Sequence, residues 1–283
     1  MSYILQSNLP ATPELVNELR AEFGLDKSLL TQYALWLKDA IRLDFGTSYM
    51  TGRSVSEDFL HFLPTTLMLV CCGFVLSFVC SLLLGILSAY YHNRLLDSVI
   101  RIFCFVGVSM PNFWLAFLLV LFFSVYLGWL PAVGMEGGKS FILPSMSIAL
   151  MSMCINARLI RANMLEVQKE RYIVYAKMRN IRGVRLHIVH IFYNAFLPIL
   201  TAMGMHIGEL IGGAIVIECV FALPGIGLYS IQGIANHDYP VIECFIVVMC
   251  VCFVLCNAIV DILYGVLDPR VRATMQKQKG KIL

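Results

Sequence analysis

The chain has 283 residues, of which 59% are hydrophobic and 14% are charged, and its formal net charge is +3. A soluble domain is typically about 45–50% apolar and about 25% charged. This composition excludes a soluble enzyme and a disordered chain, and the mild net charge excludes a nucleic-acid-binding protein. What remains is an all-α integral membrane protein with several spans, because helices satisfy their own backbone hydrogen bonds in lipid.

Residues 1–62 are expected to form a helical segment outside the membrane, because they are too polar to span it. The stretch 28–43 within this segment is amphipathic. Its apolar residues at helical spacing are Leu30, Tyr33, Leu37 and Ile41. We expect this stretch to pack as a small cap on the membrane domain.

The membrane domain is predicted to cover residues 63–268. A bilayer core about 30 Å thick needs roughly 20 apolar helical residues. Runs of this kind predict five spans, at about 65–90, 100–127, 141–162, 195–217 and 242–267. The intervening stretch 219–237 contains Pro224-Gly225-Ile226-Gly227, which is typical of a loop or a re-entrant hairpin.

The charges between the spans predict the orientation, because basic residues mark the cytoplasmic side. Residues 158–193 hold eight Lys or Arg and two Glu, whereas residues 1–63 hold five Lys or Arg and eight acidic residues. The stretch 218–238 has no Lys or Arg, and the tail 269–283 has five. The first segment is therefore expected outside, and the 163–193 loop and the C-terminus in the cytoplasm.

This orientation requires the acidic residues 1–63 to cross the membrane. Met1–Leu9 has neither the basic nor the apolar region of a signal peptide. We therefore expect a further apolar helix of about 20 residues to precede Met1, so that the first transmembrane helix of the protein is missing from this sequence.

The span at 195–217 is the most polar of the five. Gly204, Gly208 and Gly212 recur every four residues, which predicts close contact with another helix along one face. A second face carries residues that make a candidate substrate path. These residues are Ala202, Met203, His206, Glu209 and Gly213.

Ionisable groups at membrane depth are costly and usually face a bundle interior or an aqueous cavity. Glu209 on this face would attract a cationic or metal-chelate substrate, and the alternative is an ordinary interhelical hydrogen bond. Met203, His206 and Glu209 are of metal-ligating types, but a permease must release its substrate, so no firm metal site is predicted. The pair His187 and His190 is expected to be solvated at the membrane boundary.

The basic loop 163–193 is too amphipathic for a plain connector. Helical patterns flank Asn180, and asparagine tolerates the left-handed conformation, so we expect a turn there between two short helices. A charged loop solvated on one face is the alternative.

The spacing of Val174-Tyr175-Ala176, Asn180 and Leu197-Pro198 resembles the Glu-Ala-Ala loop of ABC importer permeases. Val174-Tyr175 replaces Glu-Ala here, and Asn180 replaces a glycine. Further segments similar to the peptide- and nickel-type branch are 43–69, ECVFALPGIG at 218–227, DYPV at 238–241 and LDPR at 267–270. The stretches 107–119, 156–165 and 205–213 resemble the nickel permease subgroup of the dipeptide/oligopeptide/nickel family.

This resemblance implies a type I ABC importer transmembrane domain in the bacterial inner membrane. It implies a non-catalytic permease subunit that forms half of the pathway for nickel or a nickel/cobalt chelate by ATP-driven alternating access. The implied partners are a second homologous permease, two ABC ATPase subunits that bind ATP and Mg, and an extracytoplasmic substrate-binding protein. The permease itself is expected to bind no cofactor.

The resemblance also implies a loop that couples to the ATPase. The implied coupling residues are Tyr172, Val174, Tyr175, Ala176, Lys177, Asn180, Ile181 and Arg182. Two alternatives stay open: a permease for di- or oligopeptides of the same family, and an ion-coupled secondary transporter.

Overall fold

The computed structural model describes residue 24 and residues 26–267. In this part of the chain, helices are joined by turns and loops, and one isolated β-bridge pairs Thr47 with Ser54. The helices are α1 (Leu29–Ile41), α2 (Val55–Tyr90), α3 (Leu95–Ser109), α4 (Asn112–Leu119), α5 (Ile142–Val167), α6 (Arg171–Met178), α7 (Tyr193–Phe221), α8 (Ile226–Ala235) and α9 (Tyr239–Leu267). A π-helical segment, Val120–Tyr126, continues α4. A 3₁₀ turn, Gly138–Phe141, precedes α5. A single helical turn, Gly183–Arg185, and a second π-helical segment, Leu186–Phe192, lead into α7.

Three helical stretches of the described residues are long and apolar enough to cross a membrane: Val55–Tyr90, Gly138–Val167 and Tyr239–Val260. Two further spans are possible only as bent helix pairs. Leu95–Ser109 and Asn112–Tyr126 meet at 106°, and His206–Phe221 and Ile226–Ala235 meet at 76°. The described chain therefore has up to five spans by length and composition.

The predicted span 100–127 falls on two helices, because the chain bends by 106° between α3 and α4. Pro111 has no backbone N–H, and its ring disfavours a helical conformation for Met110 before it. Met110 is accordingly extended, with φ −91° and ψ 123°. The two halves turn sharply and lie as separate helices.

Helix α5 lies at the centre of the bundle, where it packs against α2, α3, α4 and α7. Glycines on α2 allow a close approach. A Cβ atom on Gly73 would lie 2.5 Å from Ile148, and one on Gly85 would lie 2.6 Å from Ile160. Small residues at such contacts are typical of helices that associate within a membrane.

Helix α1 forms the expected cap, but the face that packs differs from the predicted one. Leu30 and Ile41 are 83% and 74% exposed. Trp36 and the buried Ala40 instead join a cluster that includes Phe59. The small Ala40 lets the helix backbone approach the bundle, and the Trp36 ring supplies the apolar area, so the aliphatic face stays outside.

Candidate translocation face and coupling loop

His206 and Glu209 lie one turn apart on α7, and their side chains are in hydrogen-bond contact. The His206 Nδ1 atom is 2.7 Å from a Glu209 carboxylate oxygen. The His206 side chain is 18% exposed and the Glu209 side chain is 62% exposed. The His206 contact of Glu209 lies within its own helix, and the described residues show no interhelical hydrogen bond of Glu209, which was the alternative to a substrate path.

The other predicted path residues lie differently. A Cβ atom on Gly213 would meet Ile148 at 3.4 Å and the side-chain amide nitrogen of Asn112 at 3.5 Å, so Gly213 faces α5 and α4. The side chains of Ala202 and Met203 lie outside the described residues. The structure therefore brings His206 and Glu209 together and places Gly213 against the bundle.

The glycine face of α7 packs against α9 at two of its three positions. A Cβ atom on Gly204 would lie 2.5 Å from Val260, and one on Gly208 would lie 2.6 Å from Phe253. Gly212 has nothing within 4 Å. It borders an apolar groove of about 260 Å³ that is closed on the α9 side by Met249 and Phe253.

Sequence reasoning missed Asn112, which opens α4 directly after the proline break. Its side-chain Oδ1 atom is buried and accepts no hydrogen bond within the described chain. A buried polar atom without a partner costs about 1–3 kcal/mol. The signal that could have found it is an asparagine next to a proline inside an apolar run.

A second missed residue is Glu218, which is fully buried and ties α7 to α2 and α8. Its carboxylate accepts from the Thr66 hydroxyl at 2.6 Å and from the backbone N–H of Leu228 at 3.1 Å. The Thr66 oxygen accepts in turn from the N–H of Ile226 at 2.9 Å. The first N–H groups of a helix have no partner within it, so these two side chains cap α8.

The glycines of this junction are required by the space that Glu218 occupies. A Cβ atom on Gly225 would overlap the Glu218 carboxylate. One on Gly227 would lie 2.6 Å from the backbone Cα of Ile215. Ala222 ends α7 in the left-handed conformation, at φ +48°, which starts the turn into α8.

Two buried aspartates hold the segment before α2 against α8 and α9. Asp58 contacts the Tyr229 hydroxyl at 3.1 Å and the Arg53 guanidinium at 3.1 Å. Asp238 accepts from the Ser48 hydroxyl at 2.6 Å. The pKa of Tyr49 in the same segment is raised, mainly by burial and to a smaller extent by the negative charges of nearby carboxylates. The network fixes α8 at the end of the bundle where α1 also lies.

The 163–193 loop contains the expected turn at Asn180, which has φ +60°. The N–H of Ile181 donates to the carbonyl of Ala176 at 3.1 Å, which is the hydrogen bond of a Schellman C-cap for α6. The left-handed conformation explains why the asparagine can stand where related loops carry glycine.

Helix α6 has a buried side and an exposed side. Ile173 is fully buried and Ala176 is 8% exposed, and both pack against Met164 and neighbouring apolar residues of the same chain. The exposed coupling residues of the prediction are Tyr172, Val174, Tyr175, Lys177, Asn180 and Arg182, and Ile181 is half-buried. Ala176 therefore lies inside this chain, and the surface open to a partner is formed by its neighbours.

Asp97 and Arg161 form a buried ion pair just ahead of this loop. The Arg161 guanidinium donates to both Asp97 oxygens, at 2.8 and 2.9 Å. The Ser88 hydroxyl and the Asn93 backbone N–H complete the carboxylate shell, at 2.6 and 3.0 Å. The pair joins the start of α3 to α5. From the sequence, Arg161 was interpreted only as one of the basic residues that indicate the orientation.

The described residues contain no group of three or more His, Cys, Asp or Glu side chains that could hold a metal ion. Glu209 and His206 supply only two side chains of these types. The neighbouring Met203 side chain lies outside the described residues. The face presents a carboxylate and an imidazole side by side.

Comparison with known protein families identifies the family of this chain. Residues 81–273 match the family described as the binding-protein-dependent transport system inner membrane component. The chain belongs to this family. It is a permease of an ABC importer, of the peptide and nickel type, as the sequence motifs predicted.

Relatives of the permease share about a third of its residues along most of their length. A putative peptide transport system permease of Brucella abortus (strain 2308) is 36% identical, with 93% of this chain and 86% of the relative covered. The metal-staphylopine import system permease CntB of Staphylococcus aureus (strain Mu50) is 35% identical, at 92% and 84%. The dipeptide transport system permease DppB of Alkalihalophilus pseudofirmus is 34% identical, at 93% and 87%.

Solved structures agree on the fold of the permease. A chain of the inward-facing MetNI methionine ABC transporter superposes with a TM-score of 0.64 at 16% identity, and covers 75% of this chain and 96% of that one. A chain of an amino acid ABC transporter with histidines gives 0.60 at 15% identity, with 75% and 95% covered. At this identity the likeness shows the fold, which is that of an ABC importer transmembrane domain. The permease is a multi-pass inner-membrane protein.

Proposed function

We propose that the permease forms half of the pathway by which an ABC importer carries nickel, or a nickel or cobalt chelate, across the inner membrane. The observation that carries this proposal is the exposed Glu209 carboxylate, paired with His206 on a helix of the membrane domain. A charge at membrane depth is costly unless it faces water or a second protein chain. Its exposure in the single chain is what a path between two permeases requires.

The chemistry of this face suits a charged substrate that must be released again. Glu209 attracts a cation, and the described residues form no closed coordination shell around it, so a passing ion or chelate can be released again. CntB, which resembles this permease, is named for metal-staphylopine import. A chelate of that class carries both a metal and polar organic groups that a carboxylate and an imidazole can contact.

We infer that the energy comes from two ABC ATPase subunits, which bind ATP and Mg, while this subunit catalyses no reaction and holds no cofactor. Val174 and Tyr175 on α6 are 46% and 66% exposed, which supports a protein contact there. Movement of α6 would reach the bundle through Ile173 and Ala176, which are buried against it. Alternating access follows if that movement changes which end of the path is open.

The remaining partners are a second homologous permease, in a heterodimer, and an extracytoplasmic substrate-binding protein. The excess of basic residues in the 163–193 loop and in the tail supports a cytoplasmic C-terminus. These inferences rest on the family and on charge.

A permease for di- or oligopeptides is the second candidate, and it is favoured by the Brucella and Alkalihalophilus relatives, which are named as peptide and dipeptide permeases. The ammonium group of a peptide would meet Glu209 as a metal chelate would. Membership of the ABC importer family removes the ion-coupled secondary transporter.

Transport by the complete importer decides between these substrates. This chain, the adjacent permease, both ATPases and the binding protein are reconstituted in proteoliposomes, and ATP-dependent uptake is measured for radioactive nickel alone, for its histidine chelate and for a labelled dipeptide. We expect uptake of the chelate to exceed that of the dipeptide. Uptake of the dipeptide without nickel in either form would overturn the nickel proposal in favour of the peptide one.

A further inference from the structure

A groove of about 590 Å³ lies between α1 and the first turns of α9. This volume is within the range of small-ligand sites, about 300–1,000 Å³. The residues of α1 that line it are Leu29, Gln32, Tyr33 and Trp36, and those of α9 are Glu243, Ile246 and Val247. The groove is separate from the face of His206 and Glu209 on α7.

The lining combines one carboxylate with two aromatic rings. Glu243 is the acid among the described residues that line the groove, and these include no lysine or arginine. The Tyr33 and Trp36 rings stack, with centroids 5.9 Å apart and an interplanar angle of 29°. A carboxylate beside aromatic faces attracts an ammonium group, through charge and through the ring quadrupole.

The groove also offers a hydrogen-bond donor that lies close to Glu243. The indole nitrogen of Trp36 is buried beside Glu243, yet it makes no hydrogen bond of acceptable geometry within the described residues. A buried donor without an acceptor costs free energy. A ligand that carries both an ammonium group and an oxygen acceptor would satisfy this donor and Glu243 together.

The groove opens at the end of a candidate membrane span. Glu243 lies about one turn into the Tyr239–Val260 stretch, and almost none of its most apolar part is buried within the chain. Ile246 is 53% exposed, and Leu29 on α1 is 81% exposed. Tyrosine and tryptophan are enriched at this level, where the apolar core of a bilayer meets its headgroups.

We propose that this groove binds a phosphatidylethanolamine molecule of the bilayer. The ammonium group lies between Glu243 and the Tyr33 and Trp36 rings, and a phosphate or ester oxygen accepts from the Trp36 indole. The acyl chains continue along Ile246 and Val247, on the exposed side of α9. The lipid joins α1 to α9 on the aliphatic side of α1, which the rest of the described chain leaves uncovered.

The charge of the lining favours this lipid over an anionic one. Phosphatidylglycerol has the same acyl chains but no ammonium group, so it would place its negative charge against Glu243. The two lipids therefore form a matched pair of probes, because their apolar contacts with the groove are equal.

Native mass spectrometry of the purified, delipidated transporter tests the preference. Phosphatidylethanolamine and phosphatidylglycerol are added at equal concentration, and the lipid retained on this subunit is counted. We expect at least about threefold more phosphatidylethanolamine than phosphatidylglycerol to be retained. A ratio of this size corresponds to the small free energy of one exposed ion pair. The ratio should fall to about one in Glu243→Gln. It should be unchanged in Asp39→Asn, an exposed acid of α1 that does not line the groove. Equal retention in the unaltered protein, or an unchanged ratio in Glu243→Gln, would overturn the proposal.

A crosslink in the intact membrane identifies the occupant directly. A photoreactive benzoylphenylalanine at position 29 is placed in the groove of the assembled transporter and activated in native membranes. We expect an adduct whose mass corresponds to phosphatidylethanolamine. An adduct with another subunit, or with another segment of protein, would show that protein covers the groove and that the proposal is wrong.

Discussion

The Thr66 hydroxyl donates to the Glu218 carboxylate at 2.6 Å and accepts from the backbone N–H of Ile226 at 2.9 Å, so a single side chain of α2 links α7 to the start of α8. The link lies at the 76° bend between α7 and α8. Broken helices within a membrane must have their free backbone groups satisfied by neighbouring side chains. Glu218 and Thr66 meet that requirement.

Glu218→Gln should destabilise the permease. One carboxylate oxygen, which now accepts a hydrogen bond, is replaced by an NH₂ group that can only donate, so two donors face each other. The expected loss is about 2–4 kcal/mol, as for a buried charged hydrogen bond with one partner changed. The thermal unfolding midpoint of the detergent-purified protein measures it. Glu166→Gln, at an exposed acid of α5, should leave the midpoint unchanged. Equal midpoints for the two variants would show that Glu218 does not hold the bend.

Gly227→Ala and Gly212→Ala should have opposite effects, although both glycines lie within helices. A Cβ atom on Gly227 would lie 2.6 Å from the Ile215 backbone, which cannot move aside as a side chain can. We expect a loss of about 1–3 kcal/mol, as for overpacking. A Cβ atom on Gly212 meets nothing within 4 Å, so alanine should gain about 0.5–1 kcal/mol through its lower entropy cost. Unfolding midpoints of the purified permease that move in the same direction for both would contradict this.

The sequence predicted the features that depend on apolar runs and on single-residue conformations. It located the long helices, the turn at Asn180 and the glycine contacts of α7, because hydropathy and the left-handed conformation are local properties. It could not find the partners of Glu218 or Asp97, because Thr66 and Arg161 are 152 and 64 residues away along the chain. Contacts over such separations depend on how the helices are arranged.

The packing face of α1 was mispredicted for a related physical reason. In a soluble protein the aliphatic face of an amphipathic helix is the one that packs. In a protein that lies in a bilayer that face can stay outside, since lipid covers apolar side chains at no cost. Ala40, which allows a close backbone approach, was therefore a better indicator of the contact than Leu30.

Asp97 and Arg161 should show a large coupling energy in a double-mutant cycle. Asp97→Ala or Arg161→Ala alone leaves a buried charge without its partner, which costs about 3–5 kcal/mol. The double variant should cost less than the sum, because neither charge remains. Unfolding midpoints of the four proteins give the coupling, with Arg101→Ala, at an exposed arginine of α3, as the control. Additive losses would mean that the pair does not join α3 to α5.

Glu209→Gln keeps the shape of the side chain and removes the charge of the proposed path. We expect nickel-chelate uptake by the reconstituted transporter to fall about tenfold, which corresponds to about 1.4 kcal/mol. The unfolding midpoint should be unchanged, because Glu209 is 62% exposed. His206→Ala should have a smaller effect, since the carboxylate remains. Unchanged uptake kinetics in Glu209→Gln would return this face to ordinary packing.

The exposed and buried sides of α6 should give different defects when each receives a charge. Tyr175→Asp places a carboxylate on the surface that we propose contacts the ATPase, where an unpaired buried charge costs several kcal/mol. Tyr175 is 66% exposed in the single chain, so the fold should be unaffected. We expect stimulated ATPase activity and uptake to be lost while the permease unfolds at its normal midpoint. Ala176→Asp, at a position 8% exposed and packed within this chain, should instead lower that midpoint.

Both variants are measured for ATPase stimulation in the assembled transporter and for unfolding of the purified permease. The pair separates a loss of docking from a loss of folding, which Ala176→Asp alone cannot do because it changes both. If Tyr175→Asp retains normal coupling, the partner contacts another surface. In that case the α6 packing of Ile173 and Ala176 serves the stability of the inner end of the bundle, and transmission passes elsewhere.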